Sequence, residues 1–250
     1  MVMDYAAALL EQNRLFADVV FAADLSTPVP TCPGWTLVQL LRHVGRGDRW
    51  AAQIIRDRAG SDLDPRLVPD GRPPGDTDGA RAWLQAGPRV LLDAVSVIGP
   101  EENVATFLGP RPAGWWVRRR LHEATVHRAD AAIAIGQPYE LAPELAADGI
   151  DEWLDRLAVE LPAARATAIA VGQALAMRAT DVGVEWRIDG IATGIDWGHG
   201  ASGRPPAVRL AGPAAGLFLA LVRRRTLQEP GIEIDGDMQV WQTWLAHTPL

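Results

Sequence analysis

Apolar positions recur at helical spacing through the first half of the chain. Leu9, Phe16 and Val20 share one stripe, with Asn13 interrupting it, so residues 3–24 are expected to form a long amphipathic helix. A Pro-rich loop, STPVPTCPGW, follows. Thr36 then stands as an N-cap with Gln39 completing a capping box, and Leu37, Leu40, Leu41 and Val44 carry a second helix to Arg58. Residues 59–78, rich in Gly, Asp and Pro, predict a long surface loop. A third helix is expected over 77–97, bent at Pro88, and a fourth from after Pro112 to Ile135, stopped by Gly136 and Pro138. Four such helices predict an antiparallel four-helix bundle. A further helix over 142–161 leads out of it.

After Pro162 the pattern changes. Residues 176–188 alternate partially about Gly183, as a hairpin does, and 208–210 and 232–234 are short strand candidates. Helices are expected over 213–223 and 237–247. The reading is therefore α plus α+β: a bundle domain with its connecting helix over 1–161, and a small α+β domain over 162–250.

Composition narrows the class. Apolar residues at 48% and charged residues at 22% indicate a globular chain rather than a disordered one. A net charge of -7 opposes nucleic-acid binding, and no apolar run reaches the length of a membrane span. The opening MVMDYAAALLEQ lacks the basic region of a signal peptide, and the single Cys32 cannot form an internal disulfide, so a cytoplasmic setting is expected. All 24 basic residues are arginine, which removes any Schiff-base lysine.

The fourth helix contains LHEATVHRAD. Glu123 and His127, four apart, share a face, whereas His122 and His127 are five apart and cannot readily grip one ion together. This is not the HExxH arrangement. Glu123, Val126, His127, Asp130, Ile133 and Ala134 follow an inward-facing pattern. Buried acids and a histidine need partners. Spacing alone admits two kinds: a salt-bridged face using Arg119, Arg120 or Arg128, or a metal site with Asp130 holding the His127 ring. His43 lies on a stripe with Leu40, Gly47, Trp50 and Ile54, and Gly47 would leave space beside it. A lone histidine on such a face is commonly a satisfied core residue. Brought together with Glu123 and His127, it completes a two-histidine, one-glutamate set with a fourth zinc position open.

CPGWTLVQLLRHVGRGDRW followed by WWVRRRLHEATVHRADA resembles the DinB-like metalloenzyme superfamily, and within it the mycothiol-dependent maleylpyruvate isomerase family. The resemblance covers essentially the whole chain. It implies a metal-binding helical bundle joined to a small domain of sterol-carrier-like shape, with metal ligands on His43, Glu123 and His127. It also implies a divalent metal, zinc by the family pattern, and mycothiol as cosubstrate. In such an isomerase the thiol adds to a cis double bond, the adduct rotates and the thiol leaves; other members transfer low-molecular-weight thiols to electrophiles. The family also uses a C-terminal arginine on anionic substrate, here Arg224, with Arg223 and Arg225 as alternatives. Arginines at a helix C-terminus equally complement its dipole.

No cysteine lies near the proposed ligands in sequence, so the reacting sulfur is expected from outside. Cys32 is expected to be inert, His199 and His247 solvated, and Trp115 and Trp116 packing residues. IDGIATGIDWGHG lacks the spacing of a nucleotide loop. The expected function is thiol addition to a small-molecule electrophile, with an S-transferase ranked just ahead of a strict isomerase because the N-terminal loop and residues 59–78 match nothing in the isomerase. The rivals are a non-catalytic small-ligand-binding protein and a zinc hydrolase.

Overall fold

The structure, a computed structural model, describes residues 3–160, 168–200 and 203–248. Among them are seven α-helices and a five-stranded sheet, divided between two compact units, Met1–Tyr139 and Glu140–Leu250.

In the first unit, α1 (Tyr5–Val20) starts behind Asp4, whose carboxylate accepts the Ala7 N–H, and buries Leu9, Phe16 and Val20 as expected. Asn13 is buried in the same stripe because its amide donates to the Leu9 carbonyl at 3.1 Å. α2 (Leu37–Asp57) opens with Gln39 reaching back to the Thr36 N–H at 2.6 Å. α3 (Thr77–Ile98) keeps Pro88 inside it and is capped by Asp76. α4 (Gly114–Ile135) ends at Gly136, whose φ of 67° is the left-handed stop that glycine adopts freely. Two short strands not expected from the sequence, β1 (Asn103–Val104) and β2 (Arg111–Pro112), pair antiparallel between α3 and α4.

α1 packs on α3 and α4, and α2 on α3 and α4, around a core that takes Phe16, Leu40, Leu84 and Ala124 from the four helices in turn. α4 is flanked by its neighbours so fully that it buries residues around its whole circumference, among them Trp116, Arg120, Leu121, Thr125 and Arg128. The single inward stripe inferred for it is therefore too simple. Ile133, placed on that stripe, is 37% exposed.

The second unit begins with α5 (Pro143–Glu160). This is the helix expected to lead out of the bundle, and its buried face, including Leu145, Ile150 and Leu154, packs within the C-terminal unit. The boundary expected at 161/162 lies outside the described residues. β3 (Ala174–Ala179) and β4 (Glu185–Ile191) form the expected hairpin, with Gly183 in its turn at φ 68°. β5 (Gly194–His199) pairs with β4, and β6 (Val208–Gly212) lies parallel to β3. With β7 (Glu233–Gly236), the sheet order is β5-β4-β3-β6-β7. α6 (Ala214–Leu221) packs on α5, β3 and β6, and α7 (Met238–His247) packs on β6.

Candidate metal centre

Two helices and one loop build the site. α2 supplies His43, α4 supplies Glu123 and His127, and one donor atom from each lies within 4.8 Å of the others. His43 Nε2 meets Glu123 Oε1 at 2.7 Å. The two imidazoles stand nearly perpendicular, with centroids 4.9 Å apart. Trp35, from the loop before α2, tilts against His43 at 5.1 Å and stacks on His127 at 6.5 Å. His43 keeps 41% of its side chain exposed, which gives the cluster a side open to solvent.

The second oxygen of Glu123 is held from α4 itself. Arg120 Nη1 lies 2.6 Å from Oε2, and Arg119 Nη2 donates to it at 3.4 Å. Arg120 is only 2% exposed, and it also donates to Asp48 at 2.9 Å and to the Val44 carbonyl at 2.8 Å. Burial alone would raise the Glu123 pKa, but Arg120, the His43 hydrogen bond and Arg119 together hold it well below the usual carboxylate range. Burial pushes the Asp48 carboxyl up against the pull of Arg120. Gly47 makes the clamp possible: a Cβ there would come within 2.4 Å of the Arg120 guanidinium.

His127 is fixed from behind. Its Nδ1 meets Asp130 Oδ2 at 2.8 Å, leaving Nε2 for the trio. Fully buried Asp130 also accepts from Thr31 Oγ1 at 2.5 Å and from Cys32 Sγ at 3.5 Å. Burial lowers the His127 pKa and outweighs the opposing hydrogen bond to Asp130, so the ring favours its neutral form near pH 7. A neutral imidazole oriented by a carboxylate through its other nitrogen is the form that binds a metal. With an anionic Glu123 and a second imidazole beside it, the three donors could hold a divalent metal ion. Cys32, His127 and Asp130 also lie within 4.8 Å of one another, and there Asp130 acts as the shared acceptor.

Of the two partner schemes left open by spacing, the salt-bridged face is present through Arg119 and Arg120, and the Asp130 contact to His127 that the other scheme requires stands beside it. Glu123 is salt-bridged through one oxygen and faces the histidines with the other. His122, buried in α4, stands outside the cluster. Cys32 is distant from these residues in sequence but not in space; its thiol donates into the support of His127. Sequence reasoning missed the Arg120–Asp48 pair. Its signal was a lone acid on the otherwise apolar stripe of Leu41, Val44 and Ile55. Trp35 lay within the PGW string without an assigned role.

In the second unit, Arg224 follows α6 and donates from Nη1 to the Val222 carbonyl at 2.8 Å. Arg223 binds the Leu245 and Thr248 carbonyls, and Arg225 the Pro230 carbonyl. His199 is the last residue of β5 rather than a loop residue, and its Nε2 meets Asp151 at 2.9 Å while the side chain stays 55% exposed.

A cavity of about 510 Å³ adjoins the cluster and is lined by His43, Glu123 and Arg120 together with Trp35, Trp50 and the 64–66 segment. That size suits a small organic ligand. No described helix is long and apolar enough to cross a membrane.

The family model for the mycothiol maleylpyruvate isomerase N-terminal domain matches residues 6–132, and the model for the MDMPI C-terminal domain matches residues 144–243. The chain belongs to the mycothiol maleylpyruvate isomerase family. Crystal structures of the mycothiol-dependent maleylpyruvate isomerase share its fold. A histidine-to-alanine variant superposes with a TM-score of 0.58 at 13% identity, and another structure with 0.51 at 12%. Each comparison covers 93% of this chain and 92% of that one. Uncharacterised proteins from two strains of Mycobacterium tuberculosis are 32% identical over 152 residues, covering 58% of this chain and 69% of theirs.

Proposed function

We propose that this chain is a divalent-metal- and thiol-dependent enzyme of the maleylpyruvate isomerase type, with zinc held by His43, Glu123 and His127, mycothiol as the thiol, and a small electrophile with an activated double bond as substrate. The observation that carries this reading is the convergence of the three donor atoms within 4.8 Å, beside a cavity that two of the residues line. A bound zinc ion would supply a thiol in its deprotonated, nucleophilic form at neutral pH and could polarise a substrate carbonyl.

The residues of the chain do the rest. Asp130 holds the His127 tautomer, Arg120 and Arg119 fix Glu123, and Trp35 covers the two imidazoles. In the reaction, the sulfur electron pair forms a C–S bond at one alkene carbon and the π pair moves toward the conjugated carbonyl. Rotation about the new single bond and expulsion of the thiolate restore the double bond in the trans form. The sequence reading ranked S-transfer ahead of this cycle. Both halves of the chain match the isomerase family, which favours isomerisation. Arg224 is the C-terminal arginine proposed to hold anionic substrate, by resemblance. A DinB-like antiparallel arrangement of the four helices and a cytoplasmic, reducing setting complete the reading.

The test has two stages. Metal analysis of untagged chain is expected to give near one zinc per chain, lost in His43→Ala and His127→Ala. Zinc-loaded chain is then incubated with mycothiol and a cis-alkenoyl acid. Cis–trans conversion without thiol consumption supports the isomerase, a stable conjugate makes the chain an S-transferase, and thiol-independent ester cleavage makes it a hydrolase. No zinc uptake would overturn the metal reading and leave a small-ligand-binding protein.

A further inference from the structure

One wall of the cavity has no part in holding the metal. Arg42 and Arg46 come from successive turns of α2, and Arg66 comes from the short 3-10 turn Pro65–Leu67; with Arg120 they place four guanidinium groups around about 510 Å³. Arg120 is fully occupied by Asp48, Glu123 and Val44. Among the described residues, Arg42, Arg46 and Arg66 have no carboxylate oxygen within the 4.0 Å of an ion pair. Arg46 donates its Nε–H to the Gly71 carbonyl at 2.9 Å, which anchors the side chain and leaves its Nη donors. Asp64 also lines the cavity, but its carboxylate accepts the backbone N–H of Arg66.

The lining carries four arginines against two acids, Asp64 and Glu123, so its cations repel one another across a shared space. The Arg46 pKa is lowered, first by burial and then by Arg42, Arg72 and Arg66, against the opposing pull of Asp64. An anion entering the cavity would relieve that repulsion, and guanidinium groups match a carboxylate in shape as well as charge. Trp35 and Trp50 add apolar walls for a carbon skeleton.

We propose that Arg42, Arg46 and Arg66 form a carboxylate-binding subsite inside the N-terminal unit, which holds the acid group of the substrate while its reacting carbon lies toward His43 and Glu123. The choice of carboxylate rests on the proposed function, since an activated alkene of that type carries its activating group as a carbonyl or acid. The subsite assigns anion recognition to the N-terminal unit, in addition to any C-terminal arginine.

The probe is succinate, titrated calorimetrically into the full chain, both zinc-loaded and metal-stripped, with neutral dimethyl succinate and inorganic phosphate as comparisons. Arg42→Gln and Arg66→Gln alter exposed side chains, and an unchanged thermal midpoint checks their folding. Saturable succinate binding in both metal states, at least about tenfold weaker in the Arg42→Gln/Arg66→Gln double variant and undetectable for the diester, supports the subsite. Absent succinate binding, equal binding by wild type and double variant, or equal weakening of acid and diester would overturn it. Tighter binding of phosphate than of succinate would overturn the carboxylate assignment. Zinc content of the same samples separates the two readings. Arginine-dependent succinate binding without zinc uptake sinks the metal centre alone, and zinc uptake with arginine-independent binding sinks the subsite alone.

Discussion

Gly47 lies so close to Arg120 that a methyl group on its Cα would come within 2.4 Å of the guanidinium. The missing side chain of α2 is the room in which Arg120 reaches both Asp48 and Glu123. Gly47→Ala is therefore expected to lower the unfolding free energy by about 1–3 kcal/mol, as overpacking does, and to weaken zinc retention. Urea denaturation and metal analysis check it; wild-type values in both would mean that Arg120 has another place to go.

Arg120→Met should cost more. It leaves Asp48, which has no exposure, without its ion-pair partner and removes the closest hold on Glu123. Losing one partner of a buried pair typically costs about 3–5 kcal/mol. Arg120→Met combined with Asp48→Leu should recover part of that loss, because the stranded charge goes with it. A double variant no more stable than Arg120→Met would show that the pair contributes little beyond its volume.

Asp130→Asn keeps the size of the side chain but weakens the acceptor behind His127. Zinc affinity, measured by competition with a chromophoric chelator, is expected to fall about 10- to 100-fold. Thr31→Val, which removes one donor to Asp130, should have a smaller effect in the same direction. An unchanged affinity for Asp130→Asn would remove Asp130 from the support of the site.

Two acid-side windows should appear in the stability of metal-free protein. The folded pKa of His127 lies below the unfolded value of 6.5, so its contribution is present above 6.5 and is lost as pH falls through the folded pKa. Glu123 behaves the same way lower down: its contribution is complete above 4.5 and disappears as pH falls through its depressed folded value. Thermal midpoints across pH 3–8 should show both declines. His127→Gln should flatten only the upper one, and a profile identical to wild type would contradict the assignment.

His122 provides the internal control. It is buried one residue before Glu123 yet stands outside the cluster. His122→Ala is expected to destabilise the fold through a cavity while zinc stoichiometry stays at the wild-type value. Loss of zinc from a folded His122→Ala protein would require a different ligand set.

Much of this arrangement was legible along the chain. The capping box at Thr36 and Gln39, the glycine stop at Gly136 and the hairpin turn at Gly183 depend on a few neighbouring residues, so local chemistry located them. Glu123 and His127 share a helix face for the same reason. The Arg120–Asp48 pair spans 72 residues and the Thr31–Asp130 bond spans 99, so neither leaves a local pattern. α4 was misjudged because a helix surrounded by neighbours loses the two-sided contrast on which periodicity depends. β5 was missed because its glycines and exposed end, in GIDWGH, give little alternation to follow.

The segment between α2 and α3 is fastened at two interior points by indoles. Trp50 donates to the Leu63 carbonyl at 2.8 Å, and Trp83 donates to the Asp70 carbonyl at 2.6 Å. Both bonds go to main-chain oxygens, so they are indifferent to which side chains lie between them. Asp64 caps the turn, but Arg66 and Leu67, with exposed side chains, can be exchanged without re-laying the loop. If Arg66 binds substrate as proposed, preference for one acid over another can shift by replacements at two consecutive positions while the helices beneath stay unaltered.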